Sequence, residues 1–318
     1  MNLILKLILG LSMTLIYNIE MQKPYPRNQP VVAYHTKLQS VFLFGGFDSN
    51  IKMRSNDLWS FNGKKWSEWN SDEIPEPRNG HAMIYDEHTN RLVLFGGKTD
   101  NGNLLNDTWI WTQSGWQELS ITGPEARQSH RILPTKDGII LFGGSDSNGN
   151  SLNDTWILQD SSWRKVETKV KPPSRRQHTL AYNSAQNSAI LFGGFDRLAG
   201  EKIIYGDTWM FEHMTWKKVN ESPELGRDHH AMAYDKNNKA IILFGGYNKG
   251  YLGDTRLWNG YEWVELTSDG PSPRAGKPGL FYDSKNEAVV LFGGWDATNK
   301  PLIDFWKFDL KSKSWTQL

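Results

Sequence analysis

The chain has 318 residues, and its 36 Lys+Arg against 35 Asp+Glu leave +1, so no global field draws it to nucleic acid or to an anionic membrane. The 15 Trp, 11 Tyr and 14 Phe exclude disorder, and 29 Gly point to many tight turns. Cys is absent, which removes disulfides, thiolate metal sites, cysteine nucleophiles and an acylated lipoprotein anchor, and suits an oxidising compartment.

In chain order, the first feature is an apolar stretch. Lys6 precedes an uninterrupted run of 11 residues, 7–17. That length fits the core of a signal peptide and falls well short of the ~20 residues of a membrane span. Residues 1–22 are therefore expected to form a signal peptide or N-terminal hydrophobic segment, with export to the periplasm or the extracellular space. The alternatives are a short signal anchor or a start codon placed too early. No other run approaches membrane length, so no stable span is expected.

From residue 23 onward the chain repeats. The string LFGG occurs six times, with its first glycine at positions 45, 96, 143, 193, 245 and 293, in steps of 51, 47, 50, 52 and 48. An Arg precedes each pair: Arg27, Arg78, Arg127, Arg175, Arg227 and Arg274. A Trp two residues after an Asp follows at Trp59, Trp109, Trp156, Trp209 and Trp306, and a second Trp at Trp66, Trp116, Trp163, Trp216, Trp263 and Trp315. The second repeat shows the local structure these marks imply. Residues 80–85 and 91–95 are apolar β-rich runs around a polar turn, a hairpin. Gly96-Gly97 ends its second strand, a loop at 98–106 follows, and 107–111 and 116–119 supply two more strands. Four antiparallel strands in each of six repeats predict an all-β, six-bladed propeller over 23–318. Each repeat supplies its own four strands, and the eleven repeated Trp pack between blades rather than forming a sugar platform.

A PR-x-x-H…LFGG…DTW…W blade of this kind resembles the kelch-repeat family, close to bacterial kelch-repeat proteins, over roughly residues 24–318. In kelch domains that bind peptides or small ligands, the usual site is the face carrying the Gly-Gly loops, and the arginines opening the first strands often line it. The resemblance thus makes Arg27, Arg78, Arg127, Arg175, Arg227 and Arg274 candidates for ligand binding, their planar forks suiting carboxylate or phosphate. Because the Arg recurs in every blade, the competing reading is a repeated structural anchor. Phe47, Phe195, Tyr247 and Trp295 each follow a Gly pair at the start of a variable loop and are the candidate contact aromatics. Arg131 breaks the repeat alone: Ala82, Thr179 and Ala231 occupy its place in other blades, so it is expected in the central channel as an anion-binding residue or a plug.

The repeat also decays. Arg256 replaces the first Trp in blade five, and Pro30 and Lys277 stand where the middle blades carry His81, His130, His178 and His230. These departures argue against a symmetric metal ring, and no cofactor or metal is expected. Galactose-oxidase-type chemistry needs a Cys–Tyr crosslink, and the iron motif of nitrile-specifier proteins would need a His where Met232 stands. The expectation is a secreted, monomeric binding module taking a protein, peptide or glycan on its loop face, with no nucleic-acid partner. The alternative is a carbohydrate-active enzyme of the sialic-acid mutarotase/epimerase type using the central pocket.

Overall fold

The computed structural model describes residues 23–48, 51–298 and 300–318; the expected export segment 1–22 lies outside them. Six four-stranded antiparallel sheets follow one another around an axis. From the channel outward, blade one is Val31–His35, Ser40–Phe44, Leu58–Phe61 and Trp66–Trp69. The innermost strands of the following blades are Ala82–Asp86, Arg131–Thr135, Thr179–Asn183, Ala231–Asp235 and Gly279–Asp283, each beside the next and the last beside Val31–His35. Each blade is built from one repeat, so the ring closes without an exchanged strand.

Where the sequence reads as loop, some segments are strand. In blade two the second and third strands run on past the glycines as Arg91–Lys98 and Leu104–Thr112, with a bulge between Phe95 and Gly97. The loops between the second and third strands of blades one and four hold short hairpins, Phe47–Asp48 with Met53–Arg54 and Phe195–Leu198 with Glu201–Ile204. The bulge absorbs the left-handed glycines, so pairing resumes beyond them.

The repeated sequence marks become one interlocking corner. Each of the six arginines is buried and donates through both terminal nitrogens to one Asp: Asp57, Asp107, Asp154, Asp207, Asp254 and Asp304 respectively. Nη1 also donates to the carbonyl of the first glycine, and Nε to the carbonyl two residues back. The same Asp accepts the indole N–H of the repeated Trp at 2.6–2.7 Å in five blades. In blade five Arg256 Nε supplies that donor, which explains how the blade tolerates losing its Trp. Burial alone would raise the carboxyls of Asp57, Asp154, Asp207, Asp254 and Asp304. The arginine's hydrogen bonds and charge outweigh it and hold them below the ordinary range.

The glycine pair makes room for the neighbouring blade. At Gly96 (φ +62°) a Cβ would stand 2.9 Å from the Arg127 carbonyl, and at Gly97 (φ +113°) 2.9 Å from the His81 Cβ. Into that corner His81, His130, His178 and His230 each present a ring edge-on to Phe44, Phe95, Phe142 and Phe192 of the preceding blade, at centroid distances of 5.4–5.5 Å. All four are fully buried, and burial, reinforced by the nearby arginine charge, pushes their pKa values well below the usual histidine range. They are packing wedges.

Candidate functional site

The loop face is not uniform. The second residue after each repeated Arg has positive φ, and these six turns (Gln29, Gly80, Ser129, Gln177, His229, Gly276) surround the mouth of the channel. In blades two to five they are tied into a collar: Ser129 N–H donates to the Gly80 carbonyl at 2.7 Å, Gln177 to Ser129 at 3.1 Å, and His229 to Gln177 at 3.1 Å. Among the described residues the collar has no counterpart from blade five through six and one to two. There a cleft of about 360 Å³ opens, lined by Asn28, Gln29, Phe47, Asn79, Lys202, Asp228, His229, Tyr247, Tyr251, Ala275, Gly276 and Trp295.

Aromatic faces form much of its wall. Gly276 has no Cβ, and one built there would meet the Trp295 ring at 3.3 Å, so the glycine lets the indole lie over the turn. Tyr247 meets Tyr251 edge-on at 5.5 Å. The floor holds one charged cluster. Asp228, buried, forms an ion pair with Lys202 Nζ at 2.6 Å and is bonded to His229 Nδ1. Burial would raise its carboxyl, but His229 and then Lys202 outweigh that and hold it low, so Asp228 is an anion rather than a proton donor. Lys202 comes down from the blade-four hairpin and lies 4.5 Å from the Phe195 ring centroid and 5.4 Å from that of Tyr247. Two buried polar atoms on the wall, Trp295 Nε1 and Asn28 Oδ1, have no hydrogen-bond partner.

Of the sequence candidates, Phe47, Tyr247 and Trp295 converge on this cleft, and Phe195 stacks behind it on His229 at 6.5 Å. The reading of Arg27, Arg78, Arg127, Arg175, Arg227 and Arg274 as ligand contacts is corrected to that of anchors, because their guanidiniums are buried and committed to internal carboxylates. Arg131 lines the channel below the cleft, donating from Nε to the His178 carbonyl at 3.0 Å. Sequence reasoning missed Asn28, Asn79, Lys202, Asp228, His229 and Tyr251. One signal was available: blade five opens with Asp228-His229, whereas the corresponding pairs in the other blades hold no acidic residue and no other histidine. Among the described residues no group of three or more His, Cys, Asp or Glu could hold a metal, and no helix is long and apolar enough to cross a membrane.

A six-bladed ring of four-stranded antiparallel sheets is a β-propeller, here with a cleft at the loop-face mouth. The solved structure titled "Structure of YjhT" shares that fold, with a TM-score of 0.72 over 93% of this chain and 99% of that one, at 14% identity. The chain belongs to the kelch-repeat family: the KLHDC2/KLHL20/DRC7 Kelch-repeats domain matches residues 63–225 and the Kelch motif matches 284–318. Among curated relatives, an F-box/kelch-repeat protein of Arabidopsis thaliana is 30% identical over 206 residues, 57% of this chain and 41% of that protein. The flagellar outer-arm dynein alpha chain of Chlamydomonas reinhardtii is 26% identical over 253 residues, 69% of this chain and 5% of that one. Human multiple epidermal growth factor-like domains protein 8 is 30% identical over 87 residues, 27% of this chain and 3% of that protein. The chain thus spans less than half the length of each of these curated relatives. The kelch propeller fold suggests a protein-interaction module.

Proposed function

We propose that the propeller is a binding module that holds a protein, peptide or glycan ligand in the loop-face cleft. The observation that carries this is the wall itself, where aromatic faces stand beside two buried polar atoms, Trp295 Nε1 and Asn28 Oδ1, that lack partners. An unpaired buried donor or acceptor costs about 1–3 kcal/mol, which a ligand hydroxyl or amide would recover. Flat aromatic walls with a few fixed polar groups suit sugar rings and peptide side chains equally. The binding reading is favoured over acid–base catalysis because the cleft lining holds one carboxylate, Asp228, kept ionised by Lys202 and His229. Paired carboxylates of glycosidase type have no counterpart among the described lining residues. For the cell, we propose that the apolar residues 7–17 direct export, which fractionation of cells expressing the full chain would test.

The experiment is a glycan and peptide array probed with the wild-type protein and with Trp295→Ala. A specific hit should weaken by roughly thirtyfold or more in the variant, the scale of an aromatic hot spot. A hit that binds Trp295→Ala as well as the wild type would place recognition elsewhere and overturn the cleft reading.

A further inference from the structure

Directly beneath the cleft, the channel contains a cavity of about 180 Å³ lined by the starts of the innermost strands, including Pro30, Arg131, Thr179, Lys277 and Pro278. The two spaces follow each other along the chain. Gln29 and Gly276 line the cleft, and the next residues, Pro30 and Lys277, line the cavity. Below it the channel widens into a funnel of about 630 Å³ walled by Tyr34, Tyr85, Tyr182, Tyr234 and Tyr282.

The middle tier is unusual in its charge. Lys277 is 5% exposed, and its Nζ is buried with no hydrogen-bond partner. Arg131 donates from Nε to the His178 carbonyl at 3.0 Å, and among the described residues neither side chain forms an ion pair. No Asp or Glu lines the cavity. Both groups line this one cavity, and burial, then the Arg131 charge, pushes the Lys277 amine well below the usual lysine range. So placed, the amine gives up its proton unless an anion enters beside it, and an oxyanion in this cavity would restore the ammonium and pair with the half-buried Arg131 guanidinium. A volume of about 180 Å³ admits a carboxylate or a tetrahedral oxyanion.

We propose that this cavity binds one small oxyanion, held between the Arg131 guanidinium and the Lys277 amine and entering through the cleft. The site is independent of which macromolecule the cleft holds. Its anion has two sources, a free inorganic oxyanion or the carboxylate of a cleft ligand.

The test is thermal unfolding of the wild-type protein, Arg131→Gln, Lys277→Met and the double variant in sodium sulfate or sodium acetate, with sodium chloride holding ionic strength constant. The wild-type midpoint should rise saturably, by about 3 °C at ten times the dissociation constant. A rise with sulfate identifies a site for free tetrahedral oxyanions, and a rise with acetate alone identifies a carboxylate site; either supports the proposal. Each single variant should lose most of the response and the double variant all of it, while Lys277→Met without added anion should melt higher than the wild type. No saturable rise in the wild type, or a rise that survives in the double variant, would overturn the proposal. Either result leaves the cleft reading untouched, because that reading is measured separately by array binding and Trp295→Ala.

Discussion

The interfaces between blades two and five differ from the one that closes the ring, and the difference locates the cleft. Each of the three junctions from blade two to blade five carries four devices. One is a collar bond between turns, and another is a histidine wedge on the preceding Phe. The second glycine also donates to the next Arg carbonyl at 2.8–3.0 Å, and the second Trp donates to a Thr of the preceding blade. The junction from five to six keeps the glycine latch and the Trp315–Thr255 bond but has Lys277 instead of a wedge. The junction from one to two keeps the wedge and the latch, but Leu58 stands where the Thr would be, and Trp116 Nε1 is left without a partner. The junction from six to one shows none of the four among the described residues. It is closed by Leu43, Trp59 and Phe292 packing with Phe281 and Phe305, by Tyr34 stacked on Phe281 at 5.5 Å, and by Tyr34 donating to Asp283 at 2.6 Å. Polar latches hold the channel mouth shut over one side of the ring, and the apolar seam leaves it open on the other. The cleft lies over the open side.

The largest way to sharpen this contrast is acid. His81, His130, His178 and His230 stay neutral when folded, whereas the unfolded chain protonates them below about pH 6.5. The unfolded state then binds more protons, so stability must fall as pH falls from 6.5, by up to about 1.4 kcal/mol per histidine per pH unit. His35, whose burial lowers its pKa to about 4, adds to the same slope. Urea midpoints between pH 7 and pH 5 should therefore drop steeply, and His178→Leu should flatten the histidine share of the slope by about a fifth. A flat profile would show that the wedges are not what locks these junctions.

Arg175→Ala should cost about 3–5 kcal/mol, since it strands a carboxylate, Asp207, whose side chain is 4% exposed. Arg27→Ala should cost less, because its partner Asp57 is 25% exposed at the open seam. Equal losses in chemical denaturation would erase the distinction between the two sides. Thr155→Val removes the acceptor of Trp216 Nε1 at 2.8 Å and should cost about 1–3 kcal/mol in the same assay. The smallest effect expected is that of Arg256→Trp, which restores the repeat. The indole N–H can replace Arg256 Nε on Asp254, and only a half-exposed bond to Glu265 is lost, so the change should stay within about 0.5 kcal/mol. A larger loss would mean that Arg256 does more than stand in for the Trp.

The opening turns show why only part of the site could be read in advance. Phe47, Tyr247 and Trp295 were visible because each follows a Gly pair, and the period alone put them on one face. The arginines were equally visible, but their spacing from Asp57, Asp107 and the rest varies with loop length, so the pairing that buries them emerged only with the blade. Lys202 lies 26 residues before Asp228 in a hairpin belonging to another blade, and nothing local announces that contact. Lys277 read as a lapse in the His pattern; only the ring shows that it shares a cavity with Arg131, 146 residues away.

By itself the sequence determined the six blades, their four strands and the packing Trp, because period and alternation are local properties that every repeat restates. Tertiary structure alone decided where the ring opens and which charges are left unpaired. Those depend on contacts between the first blade and the last, which meet only when the circle closes, and on small departures from the repeat whose consequence is set by the neighbouring blade.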